Sequence, residues 1–270
     1  MAAEKKNWFH AAGLIWPKMT EVAKTSDTLR YKELGEVLGI HHRHVNKALS
    51  PIQDYCLETK RPPLTALVVN STGLPGQGFI AWDLDNIEAA LEAVSAYNWD
   101  AVSNPFGQLG TADSKEALVR RLILHPDQAE AVYRLVPDRG VAQQLFRAAL
   151  AEAYGNQCAF CKCSFANALE AAHIVCWKDA TAQQKLDVRN GILLCATHHR
   201  LFDNAFIAPT SEHRVQFYDP NEEVGGYSPA DTALSSALHG KRLHLPNDKR
   251  LWPSIQFIED RLRADKWPKA

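Results

Sequence analysis

Two short residue pairs carry the spacing of a tetrahedral metal site: Cys158-x-x-Cys161 and, further along, Cys195-x-x-His198. Thiolate sulfur and imidazole nitrogen are zinc's preferred donors. One CxxC is a weak signal, whereas two such pairs in succession are a much stronger one. Cys163 leaves a Cys-x-Cys at 161 and 163, so a shifted register stays open. The register with 158 and 161 is preferred because CxxC repeats the spacing of CxxH. His173 and Asn190 lie between the pairs, and His199 and Asp203 follow the second one. On a helix His199 and Asp203, four apart, project from the same side, as donors for a second ion such as Mg²⁺ or another divalent cation. Adjacent His198 and His199 must turn their rings to different places, so His198 is assigned to zinc and His199 to the second ion.

The elements that would position these groups are short. Leu169 to Val175 is an apolar run bounded by polar segments and reads as a strand, with His173 and Ala171 on one face and Ala172 and Ile174 on the other. Ile192 to Cys195 reads as a second strand, entered through Arg189-Asn190-Gly191, and a helix starts near His198. One face is thus expected to carry the strand histidine and the two helix-borne ligands, an arrangement that suits phosphodiester hydrolysis. That reaction needs a base to deprotonate water and a cation at the non-bridging and leaving oxygens. A histidine can be that base because it titrates near neutrality.

The run LEAAHI…NGILLC..HHRLFD resembles the HNH (ββα-metal) endonuclease family, in particular a bacterial restriction-type branch. The resemblance implies that His173 is the general base, that Asn190 braces the loop between the strands and orients the base, and that His199 and Asp203 hold the catalytic divalent ion. It also implies a closed, structural Zn²⁺ on Cys158, Cys161, Cys195 and His198. Many family members carry a ligand just before the general base. Here that place is Ala172, which cannot coordinate, and Glu170 on the same strand face is a candidate substitute.

The rest of the chain supplies a second module. Ser26 or Asp27 can cap a helix carrying Leu34, Val37 and Leu38, Gly39 stops it, and a further helix begins at His41 with His42, Arg43, Asn46 and Lys47 outward. Ser50-Pro51 can open a third helix. The runs 64–70 and 77–82 read as a strand hairpin about a Gly/Pro turn. Together these are the outline of a winged helix-turn-helix, whose four polar side chains would contact DNA. Residues 1–25 read as an irregular arm. Two helices are expected in 112–155, a hairpin in 205–218, and a strand and helix at the C-terminal end, where Lys241 and Arg242 form a phosphate-contacting patch. The expected fold class is α+β: a winged-helix-like recognition module at 1–110, a helical linker region at 111–140 and a zinc-stabilised HNH domain at 141–270.

The 270 residues suffice for two cores, and 46% apolar with 23% charged residues is ordinary for a globular protein. A net charge of −1 excludes a polycation, so any grip on nucleic acid must be local. No apolar run reaches the roughly 18 residues of a membrane span. Four of the six cysteines crowd between 158 and 195 at metal spacing, which favours reduced thiols in a cytoplasm. Cys56 and Cys176 are then expected to be buried apolar thiols. The expected function is a divalent-metal-dependent DNA endonuclease in restriction or phage defence, directed at modified DNA in one version. A homodimer would place two sites on antiparallel strands. The alternatives are a zinc-stabilised DNA-binding regulator without catalysis and an RNA-cleaving toxin.

Overall fold

The computed structural model describes residues 7–136, 138–219 and 226–267, and its contacts divide the chain into two units. One contains residues up to Leu118 with Arg134–Gln144; the other contains Val119–Tyr133 and the chain from Leu145 onward.

The first unit begins with a helix, α1 (Trp8–Ala23), where the sequence suggested an irregular arm. Pro17, inside the helix, has no N–H to give the carbonyl four residues earlier. That carbonyl, on Gly13, instead accepts from Asn104 Nδ2 at 2.8 Å, so the break costs no buried hydrogen bond. Asn7 caps the helix by accepting from His10 N at 3.0 Å. Ala12, Ile15, Trp16, Met19 and Ala23 form its buried stripe. The Trp16 ring meets Tyr55, Trp99 and Phe106 edge to face, centroids 5.4–6.4 Å apart.

A short strand β1 (Leu29–Arg30) runs into α2 (Tyr31–Leu38), which Gly39 ends in the left-handed conformation (φ +61°). After a 3₁₀ turn, α3 (Val45–Glu58) continues straight through Pro51. The expected break there does not occur, because Val45, Ala48, Leu49, Ile52, Tyr55 and Cys56 bury as one continuous helical face. The expected wing is also absent. Leu64–Leu67 is a 3₁₀ turn, and β2 (Val68–Val69) pairs in parallel with β1. Residues 77–82 form no strand. Side chains hold that segment instead: Gln53 Nε2 donates to Gly78 O (3.2 Å), Ile80 N donates to Gln53 Oε1 (3.1 Å), and Gly76 N donates to Tyr31 Oη (3.1 Å). Asp83 caps a 3₁₀ turn leading into α4 (Ile87–Ala96).

Three helices follow where two were expected: α5 (Lys115–Leu124), α6 (Ala129–Leu135) and α7 (Arg139–Ala153). Gly155 and Asn156, both at positive φ, end α7. The second unit then lays down β3 (Leu169–His173), α8 (Ala182–Leu186), β4 (Gly191–Cys195) and α9 (Ala196–Asp203). β3 and β4 are antiparallel, with Leu169 opposite Cys195 and His173 opposite Gly191. The hairpin β5 (Ile207–Pro209) and β6 (Val215–Phe217) follows as expected, then α10 (Pro229–Leu234) and α11 (Ile255–Ala264). The expected C-terminal strand reduces to one bridge, Arg214 to Arg242. Among the described residues no helix is long and apolar enough to cross a membrane.

α7 packs on the hairpin so closely that a side chain at position 191 would press on Phe146 and Leu150. A Cβ there would lie 2.5 Å from Phe146 Cζ and 2.6 Å from Leu150 Cδ1. Gly191→Ala is therefore expected to destabilise the protein by about 1–3 kcal/mol through overpacking. Gly78→Ala, where nothing lies within 4 Å, is expected to change stability by a few tenths at most; urea unfolding of both variants checks this.

Candidate functional site

Local geometry brings one set of predicted ligands together. Cys158, Cys161, Cys195 and His198 place their donor atoms within 4.8 Å of one another. Cys195 caps α9, so His198 lies in that helix's first turn, facing back toward the sulfurs. Cys195 Sγ lies 3.1 Å and Cys158 Sγ 3.6 Å from His198 Nδ1, and Cys161 Sγ lies 3.9 Å from Cys195 Sγ. A tetrahedron with Zn–S near 2.3 Å has sulfurs about 3.8 Å apart, so this donor set fits zinc. His198 is fully buried, and its Nε2–H donates to Leu234 O at 3.0 Å, which leaves the Nδ1 lone pair aimed at the sulfurs. A hydrogen bond with Cys195 lowers the Cys158 thiol. The same contact, with burial, pushes Cys195 up to about 11, and burial raises Cys161. A dication bound by the three sulfurs would stabilise every thiolate at once. Cys163 stays outside the set; its carbonyl accepts from Cys158 N at 2.9 Å.

The next residue, His199, turns the other way. Its Nδ1–H donates to Glu170 Oε2 at 2.5 Å, and its Nε2 lies 3.6 Å from Asp203 Oδ2. Glu170, on β3, thus reaches the helix, while Ala172 two residues on is fully buried. Glu170 does not stand in for a ligand at position 172: it occupies the nitrogen of His199 that faces away from Asp203. His199 Nε2 is then the ring nitrogen beside the Asp203 carboxylate. One imidazole and one carboxylate fit Mg²⁺ or Mn²⁺, which accept a sparse protein shell completed by water and phosphate oxygens.

His173 ends β3. Its ring stacks on Phe146 of α7 (centroids 3.9 Å apart, planes 16° apart) and meets the edge of Trp177 at 5.6 Å. His173 Nε2–H donates to Lys185 O at 3.0 Å. A carbonyl only accepts, so Nε2 carries a proton. Strand alternation sets His173 and Glu170 on opposite sides of β3, so the strand histidine and the Glu170–His199–Asp203 group do not share the single face expected of them. Asn190 is fully buried and bonds through both ends of its amide: Oδ1 accepts from Val175 N (2.8 Å), and Nδ2 donates to Val175 O (3.2 Å) and Gln184 O (3.1 Å). It ties the chain beyond His173 to α8, the helix that supplies the Lys185 carbonyl.

Trp177, Lys185 and Tyr133 were not singled out from the sequence. Lys185 Nζ sits 5.0 Å from the Tyr133 ring and 5.3 Å from the Trp177 ring, so an aromatic and cationic surface borders His173. No spacing signals it, because the three residues come from separate segments. In the first unit, His42, Arg43, Asn46 and Lys47 are exposed, on the 3₁₀ turn and first turn of α3. Lys241 and Arg242 are exposed beside β6, where Val215 N donates to Lys241 O at 2.8 Å. Cys56 is buried as expected, and burial pushes its thiol up to about 11. Cys176 is not an apolar thiol in the core: it is half-buried, and Arg261 Nη1 donates to its sulfur at 3.4 Å.

Purified protein is expected to carry one zinc per chain by elemental analysis. Cys161→Ser and His198→Ala should lose it, and Cys163→Ser should keep it. Alkylation at neutral pH should label Cys163 in the zinc-loaded protein and reach Cys158, Cys161 and Cys195 only after chelation. Cys56, whose raised pKa keeps it a neutral thiol, should stay unlabelled until the chain unfolds.

No curated protein and no solved structure matches the chain. Residues 158–208, which hold both ligand pairs, the β3–β4 hairpin and α9, match the family model described as HNH endonuclease, and this supports a nuclease.

Proposed function

We propose that the chain is a divalent-metal-dependent DNA endonuclease whose active site is built on β3, β4 and α9. The observation that carries this reading is the pair of hydrogen bonds that orients two imidazoles. His173 donates from Nε2 to the Lys185 carbonyl, and His199 donates from Nδ1 to the Glu170 carboxylate, which turns its Nε2 toward Asp203. A zinc ribbon or a plain DNA-binding regulator needs neither arrangement.

In the proposed reaction a scissile phosphate lies along the open edge of β3, reached by His173 from one side of the strand and by the His199–Asp203 pair from the other. His173 Nδ1 takes a proton from a water molecule as the water oxygen bonds to phosphorus and the bond to the 3′-oxygen breaks. The leaving 3′-oxygen is protonated from solvent, giving a 3′-hydroxyl and a 5′-phosphate. The imidazolium formed at His173 keeps donating from Nε2 to Lys185 O, and stacking on Phe146 holds its plane. Asn190 positions that carbonyl without touching substrate. An ion held by His199 Nε2 and Asp203 would neutralise charge on the non-bridging and leaving oxygens. Exposed Lys241 and Arg242 are proposed to contact flanking phosphates. Restriction of foreign DNA is the proposed setting, supported by a second unit in the same chain that can carry recognition. Each chain carries one such site, so cutting both strands calls for two chains.

Plasmid DNA incubated with the protein and Mg²⁺ or Mn²⁺ should be nicked and then linearised. His173→Ala should lower the rate about a hundred- to ten-thousand-fold while DNA is still bound, the usual worth of a general base. Binding without nicking by the wild-type chain would sink the enzymatic reading in favour of a regulator. Faster cleavage of RNA than of single- or double-stranded DNA would replace the substrate class. Modified and unmodified plasmids run side by side test the dependence on base modification.

Glu170→Gln tests the second imidazole separately. Loss of the carboxylate should weaken Mn²⁺ binding, followed by electron paramagnetic resonance, about ten- to a hundred-fold. Zinc content should stay at one per chain. Unchanged Mn²⁺ affinity would remove Glu170 from the site.

A further inference from the structure

The four polar side chains expected to read DNA do not project from a convex recognition helix. His42, Arg43, Asn46 and Lys47 line a cleft of about 850 Å³ in the first unit. Its opposite wall is the segment 69–79, held in place by Arg30 Nη1 donating to Asn70 O (2.6 Å), by Tyr31 on Gly76, and by Gln53 on Gly78 and Ile80. A helix reads duplex DNA by entering a major groove about 12 Å wide. A concavity does the reverse and takes a ligand in. This volume lies in the range of small-molecule pockets, about 300–1,000 Å³.

The lining states the ligand's chemistry. Arg30, Lys32, His42, Arg43 and Lys47 all face the cleft, and its described lining includes no Asp or Glu. His42 is held below the ordinary histidine range, by desolvation first and then by its charged neighbours His41, Arg43 and Lys32. The site thus favours an anion over a further cation. Tyr31 and Phe79 add aromatic faces, and Asn46, Asn70 and Gln77 add amide donors and acceptors that suit the edge of a heterocycle. The buried end of the cleft carries an unanswered polar group. Thr65 is only 4% exposed, lines the cleft, and its Oγ1 has no hydrogen-bond partner among the described residues. A buried hydroxyl without a partner costs stability, and a turn of the Thr65 side chain that brings Oγ1 into the cleft would let a ligand recover that cost.

We propose that this cleft binds one nucleoside phosphate, with the phosphate on the Arg43–Lys47 side and the base between the aromatic and amide side chains, one polar atom meeting Thr65 Oγ1 once that side chain turns into the cleft. The ligand is either a free nucleotide or a nucleotide extruded from a nucleic-acid strand. Only the second source rests on the nuclease reading given above.

The test uses the full chain carrying His173→Ala, so that bound DNA is not cut. Calorimetry is run with each of the four deoxynucleoside 5′-monophosphates, a short single-stranded DNA, an intact duplex and inorganic phosphate. The proposal expects saturable binding of a monophosphate or the single strand, weakened at least about tenfold, or 1.4 kcal/mol, by Arg43→Ala and by Thr65→Val. Thr65→Val should leave the melting temperature unchanged or higher, since valine keeps the shape and removes the unpartnered hydroxyl. A monophosphate that binds as tightly as the strand identifies a free nucleotide; binding of the strand alone identifies an extruded one. The proposal is overturned if nothing binds, if only the duplex binds, if inorganic phosphate binds as well as any nucleotide, or if both variants bind like their parent. Plasmid cleavage by the otherwise wild-type chain runs alongside. Cleavage without nucleotide binding overturns the cleft alone, and nucleotide binding without cleavage overturns the nuclease reading alone.

Discussion

The convergence of three sulfurs and one imidazole at the joint between β4 and α9 is the constraint from which the second unit takes its shape. A two-stranded hairpin buries too little apolar surface to be stable by itself. β3 and β4 form such a hairpin, and every group assigned to chemistry is mounted on it or on the helix that follows. The cluster fastens the segment before β3 to the end of β4 and fixes where α9 begins. α7 covers one face, closely enough that a side chain at position 191 would press on Phe146, and the same Phe146 also carries the His173 ring. Packing and reactivity therefore share the same atoms.

The first unit is held by different means. Its β1–β2 pairing is only two residues long, so side chains, rather than a strand ladder, position the wall opposite α3. Gln53 shows how. It is buried on α3 and spends both ends of its amide on backbone groups of Gly78 and Ile80. A segment fixed this way can remain concave, which an extended hairpin wing would not.

What was legible in the sequence was local. CxxC, CxxH and the four-residue step from His199 to Asp203 fix relative positions within one turn or one knuckle, so spacing alone recovers them. The strands at 169 and 192 were legible because short apolar runs between polar loops have few other uses. The reading of residues 8–23 failed because the partner that compensates for Pro17, Asn104, is 91 residues away from the carbonyl it satisfies. The wing failed for a related reason: the β-branched pair at 68–69 took a distant parallel partner at 29–30 in place of the nearby segment. Glu170 was legible as a candidate, but its role was not, because the role depends on which nitrogen of His199 it meets.

His198 and His199 are neighbours on one helical turn, one ring facing the sulfurs and the other facing Glu170 and Asp203. The inert ion and the reactive one would therefore be separated by a single peptide bond. A chelator strong enough to strip sulfur-bound zinc would loosen the first turn of α9 and misplace His199 as well. Inactivation by such a reagent thus reports on the scaffold as much as on the chemistry. Adding zinc back first and the second cation afterwards separates the two contributions, since only the second addition tests the reacting ion.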